Sequence, residues 1–284
     1  IHMDISGTTS VVAVLGHPVG HTMSPAMHNA AFRSLDMDWV YVAFDVPPKQ
    51  LGTALRGAAA LGLRGINLTV SLKETAAALV DRMAPSAART GSVNTVEITE
   101  SGLIGHSTDG IGFLRSVKED LGLDLAGRDV MVVGAGGAAT AIVYAALDAE
   151  AGSVTIVNRT FERAERLVAA VRKSVGDDVA VTAVPLDGVD RWDQNVDLFV
   201  NATTLGWKPD DPTPVPPDFF KDGMAVLDTC YNACGTPLLD AARHKGLLCA
   251  DGMGMLVYQG AAAFEIWTGR EAPVEVMKHV MEGR

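Results

Sequence analysis

Cysteine is nearly absent: three in 284 residues, at Cys230, Cys234 and Cys249. An odd trio in a long chain argues against a disulfide framework and for a reducing, cytoplasmic setting. Cys230 and Cys234 lie close in sequence, yet no second ligand pair accompanies them, so they read as inert thiols rather than a metal site. Cationic side chains are also in short supply. Lys and Arg total 23 against 34 Asp and Glu, a net charge of −11. Such a surface repels phosphate backbones and anionic lipid, which excludes nucleic acid and membrane surfaces as expected partners. A small anionic ligand is compatible, provided its charge is met locally. No apolar run approaches the roughly 20 residues that a bilayer span needs. No charged-then-apolar leader is visible, so no signal peptide is expected, and Ile1-His2-Met3 reads as a cloning scar before a native start near Met3.

Apolar residues are what the chain has in quantity, 48% against 20% charged. That suffices for a large core and excludes global disorder. The length suits about two domains. Short β-branched runs alternate with Ala-rich helical stretches, the pattern of an α/β fold with parallel strands. In the first part, strands are expected at 11–15, 40–45 and 65–70, and helices at 25–35, 49–61 and 73–80. A hairpin is expected from 93–98 and 103–106 around Glu100-Ser101-Gly102. Ser24, just ahead of Pro25, is expected to cap the first helix.

After Asp109-Gly110 a connector helix at 111–121 precedes six strand-like runs, at 130–133, 154–157, 179–184, 198–200, 225–227 and 247–249. Six strands with intervening helices match a complete doubly wound, Rossmann-type nucleotide-binding domain. The proline-rich stretch 209–217 reads as a surface loop, because the strand rhythm resumes after it. The final segment, 255–269 and 273–281, is helical with no strand to follow, and is expected to return to the first domain. The expected division is 4–109 with 252–284 as a substrate-binding, catalytic domain, and 110–251 as a nucleotide-binding domain.

Gly134-Ala135-Gly136-Gly137-Ala138-Ala139 follows the run 130–133 and precedes the apolar helical run 141–147. This is the G-x-G-x-x-A form of the dinucleotide fingerprint. Gly134 permits the tight turn, Gly136 lets backbone approach a pyrophosphate, and Ala139 allows close helix–strand packing. The helix N-terminus offers free N–H groups to the phosphates. The end of the next strand discriminates between dinucleotides. An NAD site wants an acid there for the ribose hydroxyls. This chain has Asn158-Arg159-Thr160-Phe161-Glu162-Arg163, with no acid at the strand end. Arg159 and Arg163 suit a 2′-phosphate through charge-assisted forks, so the expected cofactor is NADP(H).

The first domain carries small polar residues at strand ends and turns. Thr22 and Ser24 precede a helix N-terminus, and two hydroxyls with that helix end make a carboxylate receptor. Asn67, Thr69 and Lys73 lie at and after the third strand. Asn94 begins the hairpin, and Asp109 ends it beside Gly110. Singly, each of these has an ordinary structural explanation: a cap, a turn, or a solvated helix start.

Together they carry a resemblance. Gly16-His17-Pro18-Val19-Gly20-His21-Thr22-Met23-Ser24-Pro25, Asn67-Leu68-Thr69-Val70-Ser71-Leu72-Lys73, Ser92-Val93-Asn94-Thr95 and Ser107-Thr108-Asp109-Gly110 occur in that order. The Gly-rich loop, Asn158-Arg159-Thr160, Asn201-Ala202-Thr203 and Asp251-Gly252-Met253-Gly254-Met255-Leu256-Val257-Tyr258-Gln259 follow. Over essentially its whole length the chain closely resembles the shikimate dehydrogenase family, which oxidises shikimate reversibly to 3-dehydroshikimate with NADP in aromatic amino-acid biosynthesis. The resemblance implies that Thr22 and Ser24 hold the substrate carboxylate, with Tyr231 nearby. It implies that Lys73 and Asp109 are the catalytic pair at the reacting hydroxyl, and that Asn67, Thr69, Asn94 and Gln259 bind the other ring hydroxyls. It places Gly134, Ala135, Gly136, Gly137, Ala138, Asn158, Arg159, Thr160, Arg163 and Thr203 at the cofactor, with Thr229, Gly252 and Met255 on its nicotinamide side.

The chemistry needs these residue types. Hydride leaves a carbinol carbon only as its hydroxyl proton leaves or the alkoxide is stabilised. Lys73 can relay that proton or place positive charge on the developing oxygen, and the sequence leaves both open. Three positions depart from the family pattern. Thr22 stands where Ser is usual, Ser71 where Pro is common, and Ser107 where Asn is usual. Thr22 adds a methyl to the carboxylate receptor, and some relatives active on quinate carry Thr among these hydroxyls. A quinate/shikimate enzyme with relaxed cofactor use is therefore one alternative. A non-catalytic metabolite sensor is another, which the presence of both Lys73 and Asp109 disfavours. His17, His21 and His28 read as packing groups without an acid–base role. A monomer and a homodimer are both compatible with the sequence.

Overall fold

The structure, a computed structural model, describes residues 5–69, 72–191, 195–208, 210–231 and 235–283. Its first sheet is built on β1 (Ser10–Gly16), a Val-rich apolar run in which Val12 and Ala13 are wholly buried. Such a run, apolar on both faces, suits a central strand rather than an edge. β2 (Trp39–Asp45) and β3 (Gly65–Leu68) flank it in parallel. α1 (Ser24–Ser34) buries Met27, Ala30, Ala31 and Phe32, and α2 (Leu51–Ala60) buries Leu51, Leu55 and Ala58. Each of the Leu, Met and Phe side chains among these contributes about 1.5–3 kcal/mol on removal from water, before ordering costs. α3 (Leu72–Ala76), β4 (Arg82–Met83) and α4 (Pro85–Thr90) lead to the antiparallel pair β5 (Thr95–Thr99) and β6 (Gly102–His106). The sheet order is β2-β1-β3-β5-β6-β4.

Several local expectations are corrected. Ser24 is not the cap of α1: Met23 occupies that position without a side-chain cap bond, and Ser24 is the first residue within the helix. Its hydroxyl is thereby free for tertiary bonding. The expected helix 49–61 opens as a single 3-10 turn at Pro48–Gln50 before α2. The helix expected at 73–80 closes after five residues. β4 and α4 have no strong periodic signal, being two and six residues long. Asp109 does not end the hairpin. It opens α5 (Asp109–Asp120), where a carboxylate complements the helix dipole. Val70, Ser71, Pro209 and Cys234, on which some of these expectations fall, lie outside the described residues.

The second sheet holds β7 (Asp129–Val133), β8 (Ser153–Asn158), β9 (Val181–Pro185), β10 (Leu198–Asn201), β11 (Ala225–Asp228) and β12 (Leu248–Ala250). All pair in parallel, in the order β12-β11-β10-β7-β8-β9. The connections are α6 (Gly137–Asp148), α7 (Phe161–Val175) and α8 (Pro237–His244) among loops. Strand order reverses between β7 and β10, and doubly wound sheets bind ligands at the carboxyl ends of the strands at such a reversal.

The last helices are α9 (Gly252–Thr268) and α10 (Val274–Glu282). The chain forms two compact units, one running to Asp109 and resuming at Val257, the other Gly110–Leu256. Residues 252–256, assigned above to the first domain, thus stay with the second unit. The reason is close backbone packing: a Cβ on Gly252 would lie 2.1 Å from Thr229 O, and Met255 belongs to that unit's core. Among the described residues no helix is long and apolar enough to cross a membrane.

Candidate active site

In the first unit, sheet register assembles a polar row. Tyr41 lies opposite Val12, and Asn67 lies opposite Val14. Residues 12 and 14 share a face of β1, so Tyr41 and Asn67 project on the same side. The Tyr41 hydroxyl reaches across and donates to Asn67 Oδ1 at 2.7 Å. Asn67 pairs with Thr95 across β5, and its amide donates to Thr95 Oγ1 at 3.0 Å and to Asn94 O at 3.3 Å. Burial pushes the Tyr41 phenol far up, opposed by hydrogen bonding to the Ser24 side chain. Thr22 Oγ1 donates to Ser24 Oγ at 3.3 Å, so the two hydroxyls stand together.

The row continues through Asn94. Its Oδ1 accepts from Thr108 N at 2.8 Å, which orients the amide. Its Nδ2 lies 2.9 Å from Thr108 Oγ1, 2.9 Å from Asp109 Oδ1 and 3.3 Å from Gln259 Oε1. Asp109 Oδ2 in turn accepts from Lys73 Nζ at 2.6 Å. The Lys73 side chain is 18% exposed and that of Asp109 only 5%, so the pair is sheltered, Asp109 more deeply than Lys73. Thr69 is half-buried. Its Cγ2 would be 2.4 Å from a Cβ on Gly16, which is why β1 ends in glycine there.

Ser24, Asn67, Asn94, Gln259, Asp109 and Lys73 are therefore one connected polar assembly, with Thr22 and Thr69 at its flanks. Tyr41 is the member that sequence reading missed, because a strand tyrosine looks like an ordinary core residue. His28 stacks on it, ring centroids 4.4 Å apart and 2° from parallel. His28 is wholly buried, and neither ring nitrogen has a hydrogen-bond partner. Burial pushes its pKa down to about 3.

In the second unit, Gly134 has φ +126°, and a Cβ there would sit 2.8 Å from Ala202 O. Only glycine turns so tightly against the loop after β10. Ala139 is wholly buried, as close helix–strand packing requires. Gly136 differs from Gly134. A Cβ on it would meet nothing within 4 Å, so the protein's own packing does not demand glycine there. It precedes α6, whose N-terminus has no side-chain cap. Arg159, just past β8, and Arg163, in the first turn of α7, are both exposed, and Asn158 Nδ2 donates to Thr160 O at 2.8 Å, shaping the turn between them. An approachable glycine backbone, an uncapped helix end and two exposed guanidinium groups fit a dinucleotide carrying an extra phosphate.

The remaining expected residues are also in this unit. Thr203 Oγ1 donates to Asn201 Oδ1 at 2.7 Å. Tyr231 packs edge-on against Trp207, centroids 4.9 Å apart, and its phenol is pushed up to about 12 by burial and by Cys230. Thr229 carries the backbone on which Gly252 packs. Met255 is 7% exposed, so most of its side chain serves the core. Burial, reinforced by Asp228, pushes the Cys230 thiol well up, in keeping with an inert group.

A unit with a Rossmann-type sheet and a glycine turn, and a second unit with a sheltered Lys–Asp pair among amides and hydroxyls, together define a two-unit dinucleotide-dependent dehydrogenase. The comparisons with known proteins narrow this class. Residues 14–96 match the shikimate dehydrogenase substrate binding domain, 115–205 match shikimate / quinate 5-dehydrogenase, and 252–282 match the shikimate 5'-dehydrogenase C-terminal domain. The chain is similar to the NADP(+) shikimate dehydrogenase of Methanopyrus kandleri, 44% identical over 99% of this chain and 98% of that one. It is similar to that of Moorella thermoacetica, 45% identical over 98% and 95%. The crystal structure of Thermus thermophilus shikimate 5-dehydrogenase in complex with NADP(H) and shikimate superposes with a TM-score of 0.86 at 38% identity, covering 96% of this chain and 99% of that one. The chain belongs to the shikimate dehydrogenase family.

Proposed function

We propose that the protein catalyses the reversible oxidation of shikimate to 3-dehydroshikimate, as a cytoplasmic enzyme of aromatic amino-acid biosynthesis. It is an oxidoreductase and its cofactor is NADP. The observation that carries the finer reading is the 2.6 Å bond from Lys73 Nζ to Asp109 Oδ2 within a row of sheltered amides and hydroxyls. NADP, when bound, supplies the hydride acceptor.

The chain's own residues do the rest. Thr22 and Ser24 donate to the substrate carboxylate, and Tyr231 serves the same group. Asn67, Thr69, Asn94 and Gln259 orient the ring through its hydroxyls. Lys73 acts at the reacting hydroxyl, hydrogen-bonding its oxygen and moving its proton as the carbon becomes a carbonyl. Asp109 orients Lys73 and is itself held by Asn94. Arg159 and Arg163 bind the 2′-phosphate, and Gly134, Ala135, Gly136, Gly137, Ala138, Asn158, Thr160 and Thr203 shape its surroundings. Thr229, Gly252 and Met255 border the nicotinamide.

Initial rates with shikimate and quinate, each against NADP and NAD, test this reading. The expected order puts shikimate with NADP first. Equal rates with quinate or with NAD would replace it with the relaxed quinate/shikimate enzyme, and binding without turnover would make it a sensor.

A further inference from the structure

Asp228, the last residue of β11, is wholly buried. Among the described residues no lysine, arginine or histidine pairs with it. Burial raises its pKa against the pull of its hydrogen bonds. An unpaired carboxylate inside a protein is costly, and an apolar residue would fill the space more cheaply. Its use lies in the number of donors it gathers. Oδ1 accepts from Asn201 Nδ2 at 2.8 Å and from Cys230 N at 3.1 Å, and Oδ2 accepts from Thr236 Oγ1 at 2.6 Å.

These donors belong to three different segments. Asn201 ends β10, and its Oδ1 accepts from Thr203 N at 3.1 Å and Thr203 Oγ1 at 2.7 Å, while its amide reaches Leu205 O at 2.9 Å. Cys230 lies in the turn after β11, next to Thr229. Thr236 caps α8, accepting from Leu239 N. One carboxylate thus ties the loop after β10, the turn after β11 and the start of α8. The same edge is packed backbone to backbone, with Gly134 against Ala202 O and Gly252 against Thr229 O.

We propose that Asp228 is a positioning residue for NADP: through Asn201 and Cys230 it holds Thr203 and Thr229 in place for the nicotinamide half of the dinucleotide, while the glycine turn and the arginines take the adenosine half without it. This rests on the reading above that the cofactor lies along these loops. The mechanism does not otherwise use Asp228.

The test is binding rather than turnover. The full chain, as wild type, Asp228→Ala and Asp228→Asn, is titrated with NADPH by fluorescence and with adenosine 2′,5′-bisphosphate by calorimetry. Asp228→Ala is expected to weaken NADPH about tenfold, the size of one lost charge-assisted hydrogen bond, and to leave the bisphosphate within about twofold. Asp228→Asn is expected to restore most of the NADPH affinity. Its oxygen can accept from Asn201 and Cys230, and its amide can donate to Thr236 Oγ1. Unchanged NADPH affinity in Asp228→Ala, or an equal loss of both ligands, overturns the proposal. Should Asp228→Ala fail to fold, Thr236→Val removes one donor only and is held to the same criterion. A wild-type chain that takes up neither ligand defeats the cofactor reading itself, a result distinct from either failure of Asp228.

Discussion

Lys73 and Asp109 meet at 2.6 Å although 36 residues separate them, and the second oxygen of Asp109 is taken by Asn94. The carboxylate is thus held from both sides, which fixes where the Lys73 amine points. Lys73→Ala is expected to lower kcat by about 10²–10⁴-fold with a small change in KM for shikimate, because the contact strengthens as charge develops on the oxygen. Combining it with Asp109→Asn should cost little more than Lys73→Ala alone, since the two act as one unit. Steady-state kinetics of the three variants check this, and an unchanged kcat in Lys73→Ala removes the residue from the mechanism.

The first two glycines of the dinucleotide turn, Gly134 and Gly136, should separate folding from binding. Gly134→Ala places a Cβ against Ala202 O at a positive φ, and is expected to lose about 1–3 kcal/mol of stability. Gly136→Ala meets no protein atom, so its melting temperature should match wild type while its affinity for NADPH falls. Thermal denaturation alongside NADPH titration distinguishes them. A stability loss in Gly136→Ala would deny that glycine a role toward the cofactor.

Arg159→Ala and Arg163→Ala should raise KM for NADP and leave KM for NAD nearly unchanged. One charge-assisted bond to a phosphate is worth about 1.5–3 kcal/mol, or roughly 10–100-fold in preference. Initial rates with both cofactors measure the ratio, and equal effects on the two would take the 2′-phosphate away from these arginines.

His28 gives a pH dependence with a defined sign. Its pKa is about 3 in the folded chain against 6.5 for the free side chain. The unfolded state therefore binds the extra proton between these values, and stability falls as pH drops from 6.5 toward 3. At about 1.4 kcal/mol per pH unit the effect reaches about 4 kcal/mol at the acid end. His28→Phe keeps a ring against Tyr41 and removes the titration, so urea midpoints at pH 7 and pH 4.5 should lie closer together than in wild type. An identical gap would show that other groups set the acid sensitivity.

Much of this architecture is legible locally. The glycine turn, its strand and its helix all lie within residues 129–148, and the six-strand rhythm is a periodic signal that short-range burial imposes. The same holds for Pro25 at the start of α1 and for the hairpin at Glu100-Ser101-Gly102. Where local signals compete, the reading slips. Ser24 has the chemistry of a cap, yet tertiary bonding draws its hydroxyl to Thr22 and Tyr41. Lys73 lies in a helix that stops early, at Ala76, and residues 252–256 stay with the second unit because Gly252 packs on Thr229.

The order of small polar motifs, the absence of an acid after β8 and the alternation of strands and helices were written in the chain, since each depends on neighbours a few positions away. Sheet register decided the rest. It set Tyr41 against Asn67 and brought Asp228 to Asn201, while the packing of α9 carried Gln259 to Asn94 across 165 residues. Those pairings follow from which strands and helices lie side by side, a choice made by burial of the whole core, and no window of sequence contains it.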